Sequence, residues 1–128
     1  MQYEYFYGAQ AEQFSFYRIP KALFTEPNFR ELSTDAKVLY GILLDRMSLS
    51  LKNQWLDAQN KVYIIFTVEE IMDALNCANQ KATRLMVELE KQGGLIERKR
   101  QGLGRPNLIY VKNFAATIND KSCEKGDS

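Results

Sequence analysis

The sequence predicts an α+β fold: a winged helix-turn-helix with a small antiparallel sheet and an aromatic-rich N-terminal arm. Three observations predict it. Two amphipathic helical stretches are separated only by Asn76-Cys77-Ala78-Asn79, the spacing of a helix-turn-helix. The second stretch is followed by Gly93-Gly94 and then by two short strand-like runs around a glycine-containing loop. Nine of the 15 aromatic residues, Tyr3 through Phe29, crowd into the first 31 positions.

Within the arm, Phe14-Ser15-Phe16 alternates and leads to Pro20, which predicts a short strand or extended segment ending there, because proline has no N–H for a ladder. The first long helix begins after Leu32. Ser33 is its N-cap, Asp35 suits its first turn, and Ala36, Leu39, Tyr40, Leu43 and Met47 keep helical spacing, with Leu32 placed as a staple. Asp57 and Asn60 are turn residues before the β-branched and aromatic run Val62 to Phe66, so a hairpin is expected between the Trp55 and Tyr63 sides.

Thr67-Val68-Glu69-Glu70 is a capping box that opens a helix over Val68, Ile71, Met72 and Leu75. The turn-favouring Asn76 and Asn79 stop it. A third helix runs from about Gln80 to Gln92 on the stripe Ala82, Leu85, Met86 and Leu89, and Gly93-Gly94 ends it. Residues 95–100 and 107–112 read as strands flanking the loop 101–106. The expected organisation is therefore an arm (1–31), a binding domain (32–114) and a polar tail or linker (115–128).

Composition excludes several function classes. The 128-residue chain has no histidine, which removes imidazole bases, histidine-ligated zinc and every Ser-His or Cys-His nucleophile pair. Its two cysteines, Cys77 and Cys123, form no zinc-ribbon pattern and fit a reducing cytoplasm. No run of 18 uncharged apolar residues is present, so no membrane span is expected, and Met1-Gln2-Tyr3-Glu4 lacks a secretory pattern. Gly102-Leu103-Gly104 precedes a proline and a strand, not a helix, so it is no dinucleotide fingerprint. Neither an enzyme active site nor a cofactor is expected.

Net charge is only +1, but it is unevenly spread. Between 76 and 114, Lys81, Arg84, Lys91, Arg98, Lys99, Arg100, Arg105 and Lys112 face only Glu88, Glu90 and Glu97, whereas residues 1–75 are net acidic. A merely solvated surface explains charge of that size equally well; what the cations are mounted on decides. Opposite the apolar stripe, the third helix offers Asn79, Gln80, Thr83 and Arg84, with Lys81 at the flank. Asn and Gln pair bidentately with adenine, Arg with guanine, and Thr meets the thymine methyl. These side chains crowd the helix's N-terminal half, the end that reaches base edges in helix-turn-helix proteins. Glu88, Glu90 and Lys91, by contrast, read as solubilising residues.

Arg98, Lys99, Arg100, Arg105 and Asn107 sit on the hairpin or its loop, where cations can clamp phosphates or enter a minor groove. Strand alternation puts Lys99 opposite Arg98 and Arg100, so the three cannot all touch one surface. The candidate site is therefore a double-stranded DNA interface. Its alternative is a winged-helix protein-interaction module or a transcriptional regulator; an interaction module predicts no salt-dependent DNA affinity. A lone domain of this size reads few base pairs, and an aromatic arm needs burial, so a homodimer is expected.

Phe16-Tyr17-Arg18-Ile19-Pro20-Lys21-Ala22-Leu23 and Leu32-Ser33-Thr34-Asp35-Ala36-Lys37-Val38-Leu39-Tyr40-Gly41-Ile42-Leu43 resemble the N-terminal domain of the replication initiator A (RepA) family of Gram-positive plasmids. The resemblance continues through Trp55, Asp57, Val62 to Thr67, Glu70-Ile71 and Gly93 to Arg98, and spans roughly residues 14–114. It implies a winged helix that binds repeated origin sites (iterons), with the groove-reading helix at Asn79 to Leu89 and the wing at Arg98 to Asn107. It also implies a longer parent protein, whose C-terminal domain, absent from this chain, contacts host replication proteins.

Overall fold

The computed structural model describes residues 2–8 and 13–115. In chain order they form α1 (Ala22–Thr25), a 3-10 turn (Pro27–Phe29), α2 (Thr34–Lys52), α3 (Val68–Leu75) and α4 (Asn79–Val87), which runs on through a π-helical turn (Glu88–Gln92). Two strands complete the chain, β1 (Ile96–Lys99) and β2 (Leu108–Val111). They pair antiparallel from Ile96↔Val111 to Lys99↔Leu108. Ile64 adds to the free edge of β2 as a single bridge, exchanging both backbone hydrogen bonds with Ile109 at 2.9 Å.

Local chemistry fixes each helix start. Ser33 Oγ accepts from the Ala36 N–H at 3.1 Å, as the N-cap role predicts. Thr67 and Glu70 close the expected capping box: Glu70 N–H donates to Thr67 Oγ1 at 3.1 Å, and Thr67 N–H donates to Glu70 Oε1 at 3.0 Å. Glu70 also pairs with Arg46 of α2, whose guanidinium lies 4.9 Å from the centre of the Phe66 ring, so one carboxylate both caps α3 and ties it to α2. Asn76, at φ 52, supplies the left-handed residue that ends α3 and turns the chain into α4.

The core gathers the predicted stripes. Ala36, Leu39, Tyr40 and Leu43 of α2 meet Ile71 of α3, then Ala82, Leu85, Met86 and Leu89 of α4 and its extension, with Leu95 just before β1 and Ile96 and Ile109 from the sheet. Leu32 is buried with them and lies over Gly93, where a Cβ would come within 3.3 Å of its methyl carbons.

Three features differ from the sequence expectations. Leu23 and Phe29 are core residues, so packed structure begins with α1, ahead of the domain start expected at 32. Their short helices form because Pro20 and Pro27 lead into turns while Leu23 and Phe29 find apolar partners; ring contact between Phe29 and Phe114 at 5.0 Å closes that edge. Residues 14–20 join no strand, so of the two readings the arm is the extended one.

The expected hairpin at 55–63 forms, with the Tyr63 N–H donating to the Trp55 carbonyl at 3.2 Å and Trp55 stacked 6.4 Å from Tyr63, but its ladder is a single bridge between Leu56 and Val62, not a pair of strands. Its turn is drawn together instead by Asp57, whose carboxylate accepts from the Gln59 and Lys61 N–H groups at 2.8 Å and from Tyr110 Oη at 3.0 Å. The Lys61 hydrogen bond is the chief reason its carboxyl lies below the ordinary range.

The third helix is not uniform. After Val87 it widens, and Gly93 N–H reaches the Glu88 carbonyl at 2.9 Å before Gly94, at φ +64, turns the chain into β1. Most of the expected tail at 115–128, with Cys123, lies outside the described residues.

Candidate nucleic-acid interface

α4 owes its position to the burial of one side. Ala82, Leu85 and Met86 are all but inaccessible, whereas Asn79, Gln80, Thr83 and Arg84 are exposed. That is the division the spacing predicts, with the polar groups gathered in the first half of the helix. Ala78 provides no side-chain cap at its start. Lys81, on the flank, is partly covered and pairs with Asp35 in the first turn of α2 at 2.7 Å.

Glu88 and Glu90 do structural work that sequence reasoning missed. The Glu88 carboxylate accepts from the Ser33 N–H and, at 3.0 Å, from Ser33 Oγ, so the end of α4 caps the start of α2. Two turns of chemistry thus hold α4 against α2: Lys81 to Asp35 near one end and Glu88 to Ser33 near the other.

Arg98 differs most from its sequence expectation as a phosphate contact. Its Nη2 and Nε donate to Glu90 Oε1 at 2.8 and 3.2 Å, and its backbone N–H donates to Oε2 at 3.3 Å. The side chains are only 26% and 19% exposed, respectively, so the guanidinium is directed to an internal partner instead of standing free. The Glu90 carboxyl is held below the ordinary carboxylate range, foremost by that guanidinium.

The wing loop is closed by its own bonds. Gln101 Nε2 donates to the Pro106 carbonyl at 2.7 Å, and Gly102 and Gly104 take positive φ. Lys99, Arg100, Arg105 and Asn107 are exposed around it. Arg105 and Asn107 share a recess with Thr67 and Glu69 at the start of α3 and Met86 of α4, which sets the wing beside the helix-turn-helix. Among the described residues the ion pairs are Arg46–Glu70, Lys81–Asp35, Arg98–Glu90 and Lys112–Glu97. Arg84, Lys99, Arg100 and Arg105 therefore keep their charges uncompensated there. Also among the described residues, no group of three or more His, Cys, Asp or Glu is placed to hold a metal, and no helix is long and apolar enough to cross a membrane.

Comparison with known proteins agrees with this architecture. The model of the family described as "Replication initiator protein A (RepA) N-terminus" matches residues 15–125. A "41 kDa protein" of Lactobacillus helveticus is 32% identical over 103 residues, which are 80% of this chain and 28% of that relative, so the chain spans just over a quarter of the relative's length. A solved "N-Terminal domain of DNA binding protein" superposes with a TM-score of 0.72 at 36% identity, covering 99% of this chain and 98% of the other. A "Structure of Rep-DNA complex" gives 0.72 at 36% identity with 98% of each chain covered. A "Structure of MDR initiator" gives 0.70 at 39% identity, covering 98% of this chain and 99% of the other.

Proposed function

This chain belongs to the replication initiator protein A N-terminal family, and from that premise we propose that it binds double-stranded DNA in the initiation of replication, without catalysing a reaction. The observation that carries the reading is the exposed quartet Asn79, Gln80, Thr83 and Arg84 on a helix whose other side is locked into the core. Such a rod fits a major groove, and those side chains match the donor and acceptor patterns displayed there. Arg100 and Arg105 add the phosphate contacts that set register and orientation. Support comes also from the similar chain described as part of a Rep-DNA complex.

In its finer form, the DNA is a set of repeated sites (iterons) at a plasmid origin, and the domain acts as a homodimer in the cytoplasm. The arm motivates the dimer: Tyr5, Phe6, Phe14, Phe16 and Tyr17 all lie more than half exposed, a large apolar surface for a lone subunit. A further part of the parent protein engages host replication proteins.

Fluorescence anisotropy with labelled duplexes between 50 and 300 mM KCl tests the reading. Arg100 and Arg105 alone give log K against log salt a slope of about −2 per domain. A flat salt response would instead favour a protein-interaction module, and equal affinity for single and double strands would remove duplex recognition. Sedimentation at tens of micromolar tests the dimer, and a monomer there removes it.

A further inference from the structure

The duplex-binding reading leaves Arg98 without a role, and that side chain is the most firmly engaged of the wing cations. It sits in the middle of β1, opposite Ile109, the β2 residue that Ile64 also holds. Its partner Glu90 lies in the π-helical turn that prolongs α4. One carboxylate thus accepts three hydrogen bonds from one residue, two from the side chain and one from the backbone. The backbone bond matters most for geometry, because it fixes the strand itself and not only the side chain.

A π-helical turn adds a residue to the helical circuit and changes the direction of every side chain beyond it. Here it lets Glu88 face Ser33 of α2, Leu89 face the core and Glu90 face β1. Its two carboxylates therefore bind in opposite directions, one to the helical body and one to the wing.

We propose that Glu90 and Arg98 are a positioning pair: they fix the wing's first strand against the end of α4 and so set where the wing cations meet the duplex. Neither residue touches DNA. Gln80 and Glu90 are ten positions apart, roughly 15 Å along a helix, so groove reading and the wing anchor occupy opposite ends of one rod. A tilt at the anchor displaces Arg100 and Arg105, which lie farther out, without disturbing the reading end. Release of Arg98 toward a phosphate is disfavoured, because it would leave a mostly covered carboxylate unpaired.

The proposal rests on duplex binding, and the test separates the two. The probe is a labelled duplex of mixed sequence, about 30 bp, titrated across KCl concentration with wild type, Glu90→Gln, Arg98→Lys, Arg105→Ala and the double variants E90Q/R105A and R98K/R105A. Glu90→Gln removes a negative charge, which by simple electrostatics tightens DNA binding. Arg98→Lys keeps the positive charge but loses the bidentate fork. As a positioning pair, both weaken binding by about three- to tenfold, and Arg105→Ala then costs far less than it does in wild type.

The proposal is overturned if Glu90→Gln binds as tightly as wild type or tighter while Arg105→Ala costs the same in every background. It is equally overturned if Arg98→Lys binds like wild type. A pair that only stabilises the fold lowers the melting temperature but leaves the Arg105 penalty unchanged. Should one of the two single variants fail to fold, the other carries the test. If wild type itself shows no salt-dependent affinity, the duplex-binding reading falls, a result distinct from loss of coupling.

Discussion

Gly41, midway along α2, lies directly beneath the backbone of Arg18: a Cβ at Gly41 would sit 2.9 Å from the Arg18 carbonyl oxygen and 2.8 Å from Ile19 Cγ1. The arm can cross α2 only where the helix has no side chain. A glycine inside a helix costs about 1 kcal/mol of propensity relative to alanine, so here close approach outweighs propensity.

Gly41→Ala therefore destabilises the domain despite its better helix propensity, by about 1–3 kcal/mol, because besides the Ile19 side chain it meets the Arg18 carbonyl, a backbone atom that cannot swing aside. The same variant lifts residues 18 and 19 from α2. Limited trypsin digestion reads this as faster cleavage after Arg18. Unchanged cleavage and an unchanged melting temperature would show that the arm does not depend on this crossing.

Ser33 and Glu88 are 55 positions apart in sequence, yet they share a helix cap. Ser33→Ala is expected to cost about 1 kcal/mol, the usual loss for an N-cap. Glu88→Gln costs less on its own, and the two changes are non-additive because they remove one network. Urea denaturation of both singles and the double checks this; strict additivity would mean that the cap and the carboxylate act independently.

Tyr40 is buried, its hydroxyl donating to the Lys112 carbonyl at 2.7 Å, and burial raises its pKa to about 12. The folded state thus resists ionisation that the unfolded chain undergoes near pH 10. Below pH 10 both states are protonated and the contribution is fully present; between pH 10 and 12 it is lost, by about 2 kcal/mol. Tyr40→Phe sacrifices the hydrogen bond, roughly 1 kcal/mol at neutral pH, and flattens the alkaline fall. Thermal melts from pH 8 to 12 compare the two slopes, and parallel curves would rule out Tyr40 as the titrating group.

Arg105 is exposed at the wing tip, where duplex binding as proposed makes it a phosphate contact. Arg105→Ala weakens binding to every duplex by a similar factor and makes the salt slope shallower by about one. A loss confined to one sequence would assign it to base reading in a groove instead.

Much of the fold was legible because its signals are local. Ser33, the Thr67–Glu70 box, Asn76 and the stripe Ala82, Leu85, Met86 and Leu89 each act within a turn or two of their own position, and each does what its spacing predicts. What was illegible depends on partners distant in sequence. Glu88 and Glu90 look like solubilising charges until Ser33 and Arg98 are brought against them.

Arg98 looks like a DNA contact for the same reason, since a sequence cannot reveal that a carboxylate eight positions away faces it. The π-helical turn that serves both pairs has no residue signature of its own. α1 escaped notice because four residues after a proline carry too little periodicity; the burial of Leu23 is a tertiary fact. The outward quartet on α4 was legible in full as a face, because its placement follows from the buried stripe alone.

If α4 reads base edges, as proposed, Arg84 is the side chain whose loss shows it. Duplexes carrying one origin repeat and each of its single-base substitutions are ranked by anisotropy for wild type and for Arg84→Ala at fixed salt. Base reading by Arg84 means that the variant loses about 1–3 kcal/mol on the preferred repeat and no longer distinguishes bases at one position, while the ranking elsewhere is kept. An Arg84→Ala variant that preserves the whole wild-type ranking would contradict it.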